Sequence, residues 1–101
     1  MDIFDIFRAA ANPEKAAPMA AYMRGQFAYL GIPTPERKKL SRDFLKTVSK
    51  KAVDWEFVFK CWEQPEREFQ YLGVGYLLKL EPAMTPADIP NIRTLFITKS
   101  W

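Results

Sequence analysis

Histidine is absent from this chain of 101 residues, which removes the commonest general base and the commonest zinc ligand together. Neither a Ser-His-Asp triad nor a histidine metal site can be built from it. The single cysteine, Cys61, excludes an intramolecular disulfide. Its place close to Phe59 and Trp62 reads as a small buried hydrophobe and not as a reactive thiol. Long apolar runs are missing too. The longest, from Tyr71 to Leu78, falls far short of the ~20 residues that a membrane span needs. The N-terminus, Met1-Asp2-Ile3-Phe4-Asp5, is acidic where a signal peptide is basic. These absences point away from secretion and from any membrane, and lead us to expect a cytoplasmic protein.

What is present is a composition that can fold. With 49% hydrophobic and 15% aromatic residues, a chain of this length buries somewhat over ~60% of its unfolded surface as one domain, residues 1 to 101. Net charge is only +3, so its placement matters more than its amount. Residues 1 to 33 sum to zero, residues 34 to 51 to +5 and residues 52 to 101 to −2. The whole excess lies in one segment. Within it Leu40, Phe44, Leu45 and Val48 recur at helical spacing on one face, and Lys38, Lys39, Arg42, Lys46 and Lys50 gather on the opposite one. One face can pack while the other meets a polyanion.

Proline punctuates the chain after a polar residue: Asn12-Pro13-Glu14, Thr34-Pro35-Glu36, Gln64-Pro65-Glu66 and Thr85-Pro86-Ala87. The polar side chain can cap free N–H groups, proline costs nothing at the first helical position, and an acid just inside suits the positive end of the dipole. Gln64 is a poor cap. Asp54 offers a further start, and Ile3, Phe4, Ile6 and Phe7 have helical spacing. The reading is about six helices, roughly 2 to 11, 13 to 28, 35 to 50, 54 to 63, 65 to 80 and 86 to 99, with no competing strand pattern. Short connections, Gly31-Ile32-Pro33 being the clearest turn, make consecutive helices antiparallel neighbours. The fold class expected is therefore all-α, with antiparallel hairpins stacked as a HEAT-like α-solenoid fragment. A plain helical bundle is the alternative. Trp55 and Trp62, seven apart, read as packing between hairpins, and Glu66 and Glu68 as acids serving a helix dipole, with no catalytic claim.

The end of the chain reads as cut in mid-element. Leu95, Phe96, Ile97 and Trp101 follow a helical period with no glycine stop and no polar tail. An apolar end of this kind invites a continuation of the chain or self-association.

Four blocks in order carry a resemblance: Asn12-Pro13-Glu14-Lys15-Ala16 with Pro18-Met19-Ala20 and Tyr22-Met23; Leu30-Gly31-Ile32 with Thr34-Pro35-Glu36-Arg37; Pro65-Glu66-Arg67-Glu68-Phe69-Gln70; and Thr98-Lys99-Ser100-Trp101. With these, nearly the whole chain resembles the AlkD-type DNA alkylation repair enzymes, HEAT-like-repeat DNA glycosylases that release N3- and N7-alkylated purines such as 3-methyladenine and 7-methylguanine. The resemblance implies double-stranded DNA with alkylated purines as partner, and no cofactor. It places Tyr22 beside the damaged nucleotide and Thr34, Pro35, Arg37 and Lys38 at the DNA backbone. The basic face adds Arg42 and Lys46 to these candidate DNA-binding residues, since phosphate contacts dominate affinity without reading sequence. Two other readings stay open: the basic stripe as solvated surface, and Tyr22 as core between Met19, Met23 and Phe27.

In the family the Thr-Lys-Ser-Trp block continues into a second Trp and, four residues beyond it, an essential Asp. This chain ends at the first Trp, Trp101, so the resemblance implies no catalytic residue here. Breaking the glycosidic bond of an alkylpurine builds positive charge on the sugar, which a fixed carboxylate stabilises. The leading expectation is therefore the N-terminal part of a DNA alkylation repair glycosylase, inactive as an isolated chain. The alternative is a non-catalytic helical-repeat module that binds DNA backbone or a protein partner.

Overall fold

The computed structural model describes residues 2–22 and 28–98. Six α-helices follow one another: α1 (Ile3–Ala9), α2 (Pro13–Tyr22), α3 (Thr34–Leu45), α4 (Trp55–Glu63), α5 (Arg67–Leu80) and α6 (Ile89–Thr98). Two 3₁₀ turns, Glu81–Ala83 and Pro86–Asp88, join the last two helices. Among the described residues the only β-type pairing is an isolated bridge between Ala28 and Glu66. No helix among them is long and apolar enough to cross a membrane.

The capping chemistry mostly works as expected. Asn12 accepts from the Glu14 N–H at 3.1 Å and Asp54 from the Phe57 N–H at 3.1 Å; Asp2, not singled out in the sequence, caps α1 by accepting from the Asp5 N–H at 2.9 Å. Several boundaries differ: α1 ends at Ala9 and not at 11, and the helix expected from 86 opens as the 3₁₀ turn Pro86–Asp88 and becomes α6 only at Ile89. Helix α5 starts at Arg67 with Glu66 at its N-cap, because Gln64 closes α4 and Pro65 stands between the two. Helix α3 starts at Thr34 itself, after Pro33, so the Thr34 hydroxyl does not cap it from outside. It ends at Leu45 and not at 50: the run Thr47-Val48-Ser49 is poor helix former, the Thr47 hydroxyl donates to the Phe44 carbonyl at 2.7 Å, and Lys50 Nζ donates to the Leu45 carbonyl at 3.2 Å. The expected span 13 to 28 is seen as helix to Tyr22; Met23 and Phe27, like Lys99, Ser100 and Trp101, lie outside the described residues.

Helices pack in the order of a stack of hairpins. α4 and α5 form an antiparallel pair, while α1 lies against α3, α3 beside α5, and α4 beside α6. α1, α3 and α5 thus follow one another in one row, and α4 and α6 in another. Aromatic rings run through the layers as a chain: Phe7 and Phe4 stack on Phe69 at 5.6 and 5.5 Å, Phe4 meets Phe57 at 5.7 Å, and Phe57 meets Phe44 at 5.3 Å and Tyr76 at 4.9 Å. Such pairs contribute about 0.5–1.5 kcal/mol each beyond the area they bury. Leu40 and Phe44 of α3 pack on the cluster around Phe7 and Phe69, and Leu45 and Val48 on that around Val58 and Leu80. The apolar face read from the periodicity is the one that packs.

Trp55 and Trp62 each join α4 to the segment that follows α5. Trp62 Nε1 donates to the Leu95 carbonyl at 3.3 Å, and Trp55 Nε1 to Asp88 Oδ1 at 2.8 Å. Leu95 is consequently buried in the core, which corrects its expected place in an exposed apolar end; Phe96 and Ile97, at 70% and 77% exposure, do face solvent. Cys61 is fully buried, and burial pushes its thiol up to about 12.

Candidate nucleic-acid interface

The site begins with the turn between α2 and α3. Gly31 has φ +90°, and a Cβ there would come within 1.9 Å of the Asn12 carbonyl oxygen and 2.7 Å of the Ala16 nitrogen. Only glycine lets this turn lie against the start of α2. The turn is held from the other side by Glu68, a carboxylate at 2% exposure. Its Oε1 accepts the Leu30 N–H at 2.9 Å, and its Oε2 accepts the N–H groups of Gly31 at 2.9 Å and Ile32 at 3.3 Å. Glu68 stands in the first turn of α5, where the dipole favours an acid. Its principal role is nevertheless a tertiary clamp, which sequence reasoning missed. The clamp fixes where α3 begins, two residues further on.

Three of the expected DNA-binding residues converge there. Tyr22, Thr34 and Arg37 line one open cleft of about 420 Å³ together with Met19, Tyr29, Glu68 and Tyr71. Tyr22 is 87% exposed, so the core reading of its ring is wrong. Arg37 is half-buried, its guanidinium 4.6 Å from the centre of the Tyr71 ring; Arg67 approaches the same ring at 5.4 Å. Burial draws Arg37 below its ordinary value, but a guanidinium remains cationic at neutral pH. Burial also raises the Tyr29 phenol, which therefore stays protonated. The cleft offers aromatic faces and a stacked arginine, a combination suited to phosphate and to flat rings.

The remaining candidates lie elsewhere. Pro35 and Lys38 are exposed on the first turns of α3 and do not line this cleft. Arg42 and Lys46 line a second one, with Leu45, Lys50 and Lys79. Of the basic stripe read from the sequence, Arg42, Lys46 and Lys50 thus share this cleft, and Arg37, which is not part of that stripe, belongs to the first one. Arg37 turns toward the N-terminal ends of α3 and α5, and Arg42 and Lys46 stand toward their C-terminal ends. Since Arg37 meets Tyr71 and the Arg42 cleft contains Lys79, the two helices run side by side in the same direction. Tyr71 and Lys79 were not singled out in the sequence, because nothing in the local pattern of α5 marks the edge that faces α3.

An all-α stack of helices, with its positive charge concentrated in α3 and the segment after it and an aromatic and arginine cleft at the start of α3, defines the class. The chain belongs to the DNA alkylation repair enzyme family, whose pattern matches residues 4–101. It is similar to the solved structure of a predicted DNA alkylation repair enzyme from Enterococcus faecalis, with 32% identity and a TM-score of 0.79. The match covers 90% of this chain and 44% of that one, so the chain spans less than half the length of this relative. No curated protein matches it.

Proposed function

We propose that this chain is the DNA-holding, N-terminal part of a HEAT-like-repeat N-glycosylase that excises N3- and N7-alkylated purines from duplex DNA. The observation that carries the reading is the convergence of Tyr22, Thr34 and Arg37 in one cleft beside the start of α3. Pro33 at the N-cap of α3 cannot cap the helix with its side chain, so the first turn can present its N–H groups to a phosphate. Arg37, its guanidinium 4.6 Å from the centre of the Tyr71 ring, is oriented before DNA arrives. Preorganisation of this kind lowers the ordering cost of binding. Thr34, Pro35, Arg37 and Lys38 would follow the backbone at this end, Arg42 and Lys46 further along, and Tyr22 would stand next to the lesion. Work on DNA would place the protein with the cytoplasmic chromosome.

No residue of this chain is assigned to catalysis. Glu68 is the one carboxylate among the described residues lining the Tyr22 cleft, and both of its oxygens already accept backbone N–H groups. At 2% exposure and committed to three N–H groups of the turn, it is given the role of a clamp and no part in the chemistry. The chain alone is therefore expected to bind DNA and to release no alkylated base.

The test is fluorescence anisotropy of a labelled duplex with the 101-residue chain across a salt series, beside an assay for free 7-methylguanine. Arg37→Ala should weaken binding and lower the slope of log affinity against log salt by about 0.9. Absence of salt-dependent DNA binding would refute the holding role. Release of 7-methylguanine by this polypeptide would refute the assignment of catalysis to residues outside it.

A further inference from the structure

The second cleft contains more positive charge than its surroundings account for. Arg42 from the last turn of α3, Lys46 and Lys50 from the segment after it, and Lys79 from the last turn of α5 surround an open space of about 480 Å³ beside Leu45. Cations near helix C-termini have an ordinary explanation, since each such end carries about −0.5 charge. Two ends offset about one of the four charges, which leaves about three. Carboxylates do not supply the rest. None lines the cleft, and Asp43, adjacent to Arg42 in sequence, faces the groove between α1 and α3 instead. The ion pairs formed among the described residues, Arg8 with Glu66 and Lys60 with Asp2, involve none of the four. Lys50 is fixed at the rim by its bond to the Leu45 carbonyl.

Like charges converge in this way at little cost when an anion from outside comes between them. The cleft is open and its four basic residues are exposed, which suits a phosphodiester passing across it better than a small ligand held inside. It is also distinct from the Tyr22 cleft. Nine residues of helical rise separate Arg37 from Lys46, about 14 Å, which along the duplex axis spans about four phosphates of one strand at ~3.4 Å of axis each. One phosphate cannot serve both.

We propose that Arg42, Lys46, Lys50 and Lys79 form a second phosphate site for the backbone of the same duplex, with Lys79 bringing α5 into the DNA interface. The proposal rests on the DNA-holding role above. A duplex lying on both sites is gripped at the two ends of the α3 and α5 pair, which fixes its direction across the protein as well as its affinity.

The experiment measures duplex binding by anisotropy between 50 and 200 mM salt for the 101-residue chain and for Lys79→Ala, Lys79→Arg, Lys46→Ala/Lys79→Ala, Arg37→Ala and Lys60→Gln. Circular dichroism confirms that each variant is folded. Lys79→Ala should lower the log–log slope by about 0.9, so that affinity falls about 3.5-fold less over this fourfold salt range. The double variant should lower the slope by about 1.8, and Lys79→Arg should retain it. Lys60, which sits over the Phe4 ring at 4.6 Å, reports the effect of a lost charge away from the cleft, and its variant should keep the slope. If Lys79→Ala and the double variant match Lys60→Gln while Arg37→Ala still lowers the slope, the second site is refuted and the holding role stands. If no variant, Arg37→Ala included, changes the slope, both fail together.

Discussion

Replacing Glu68 by Gln should destabilise this protein more than any other isosteric change near the candidate interface. In the native structure one carboxylate, at 2% exposure, accepts three backbone N–H groups at 2.9, 2.9 and 3.3 Å. Glutamine keeps one acceptor oxygen and sets an NH₂ group against donors. If the oxygen serves Gly31 and Ile32, the Leu30 N–H, in a buried residue, loses its acceptor and meets another donor. An unsatisfied buried donor costs ~1–3 kcal/mol, and each surviving bond falls from the charged to the neutral class, a loss of ~0.5–1.5 kcal/mol apiece. The longer Ile32 bond weighs least. The sum is about 2–4 kcal/mol against a total stability of ~5–15 kcal/mol for a chain of this size. In urea the midpoint should fall without a change of slope, and Tm should drop by about 10 °C or more. The site-specific readout is amide hydrogen exchange: Leu30, Gly31 and Ile32 should lose protection, while the N–H groups in the middle of α5 keep theirs relative to the new global stability. Because the turn sets the start of α3, DNA affinity should fall too, although the contacts that generate the salt slope remain. A change below ~0.5 kcal/mol with protection of all three amides intact would refute the clamp, since surface-like substitutions lie in that range.

Two further expectations concern titration and reactivity. The Asp88 carboxyl is held below its ordinary value of 3.8 first by the Trp55 indole N–H and then by the Thr85 N–H. A lowered carboxylate adds stability above the ordinary value and loses it as pH falls below that. Tm should therefore decline below about pH 4, and Trp55→Phe should flatten this part of the profile; an identical profile in the variant would show that the indole bond is not responsible. The Cys61 thiol, buried and pushed up to about 12, should ignore an aromatic disulfide reagent at about pH 8 and react once the chain is unfolded in urea, because only the thiolate attacks. Rapid stoichiometric labelling of the folded protein would contradict the packing of α4 on α5.

Interactions between residues a few positions apart were legible in the sequence. The caps Asn12 and Asp54 each act within three residues, and the apolar stripe of α3 and the inter-hairpin role of Trp55 and Trp62 follow from helical periodicity. The six helices were legible from proline punctuation together with that period, and the concentration of charge in residues 34 to 51 from composition alone. Tertiary structure decided what the charged and aromatic residues do. Glu68 reaches Leu30 across 38 positions, and neither residue signals the other along the chain. Arg37 lies under Tyr71, and Lys79 joins Arg42 and Lys46, because α3 and α5 run in parallel, a relation that periodicity in either helix leaves open. Tyr22 turned out exposed and Leu95 buried because a helical period gives the face of a helix but not its neighbour. The helix periods and caps were set by bonds within a turn; the clefts were set by which helices met, and that depends on the burial of the whole aromatic core at once.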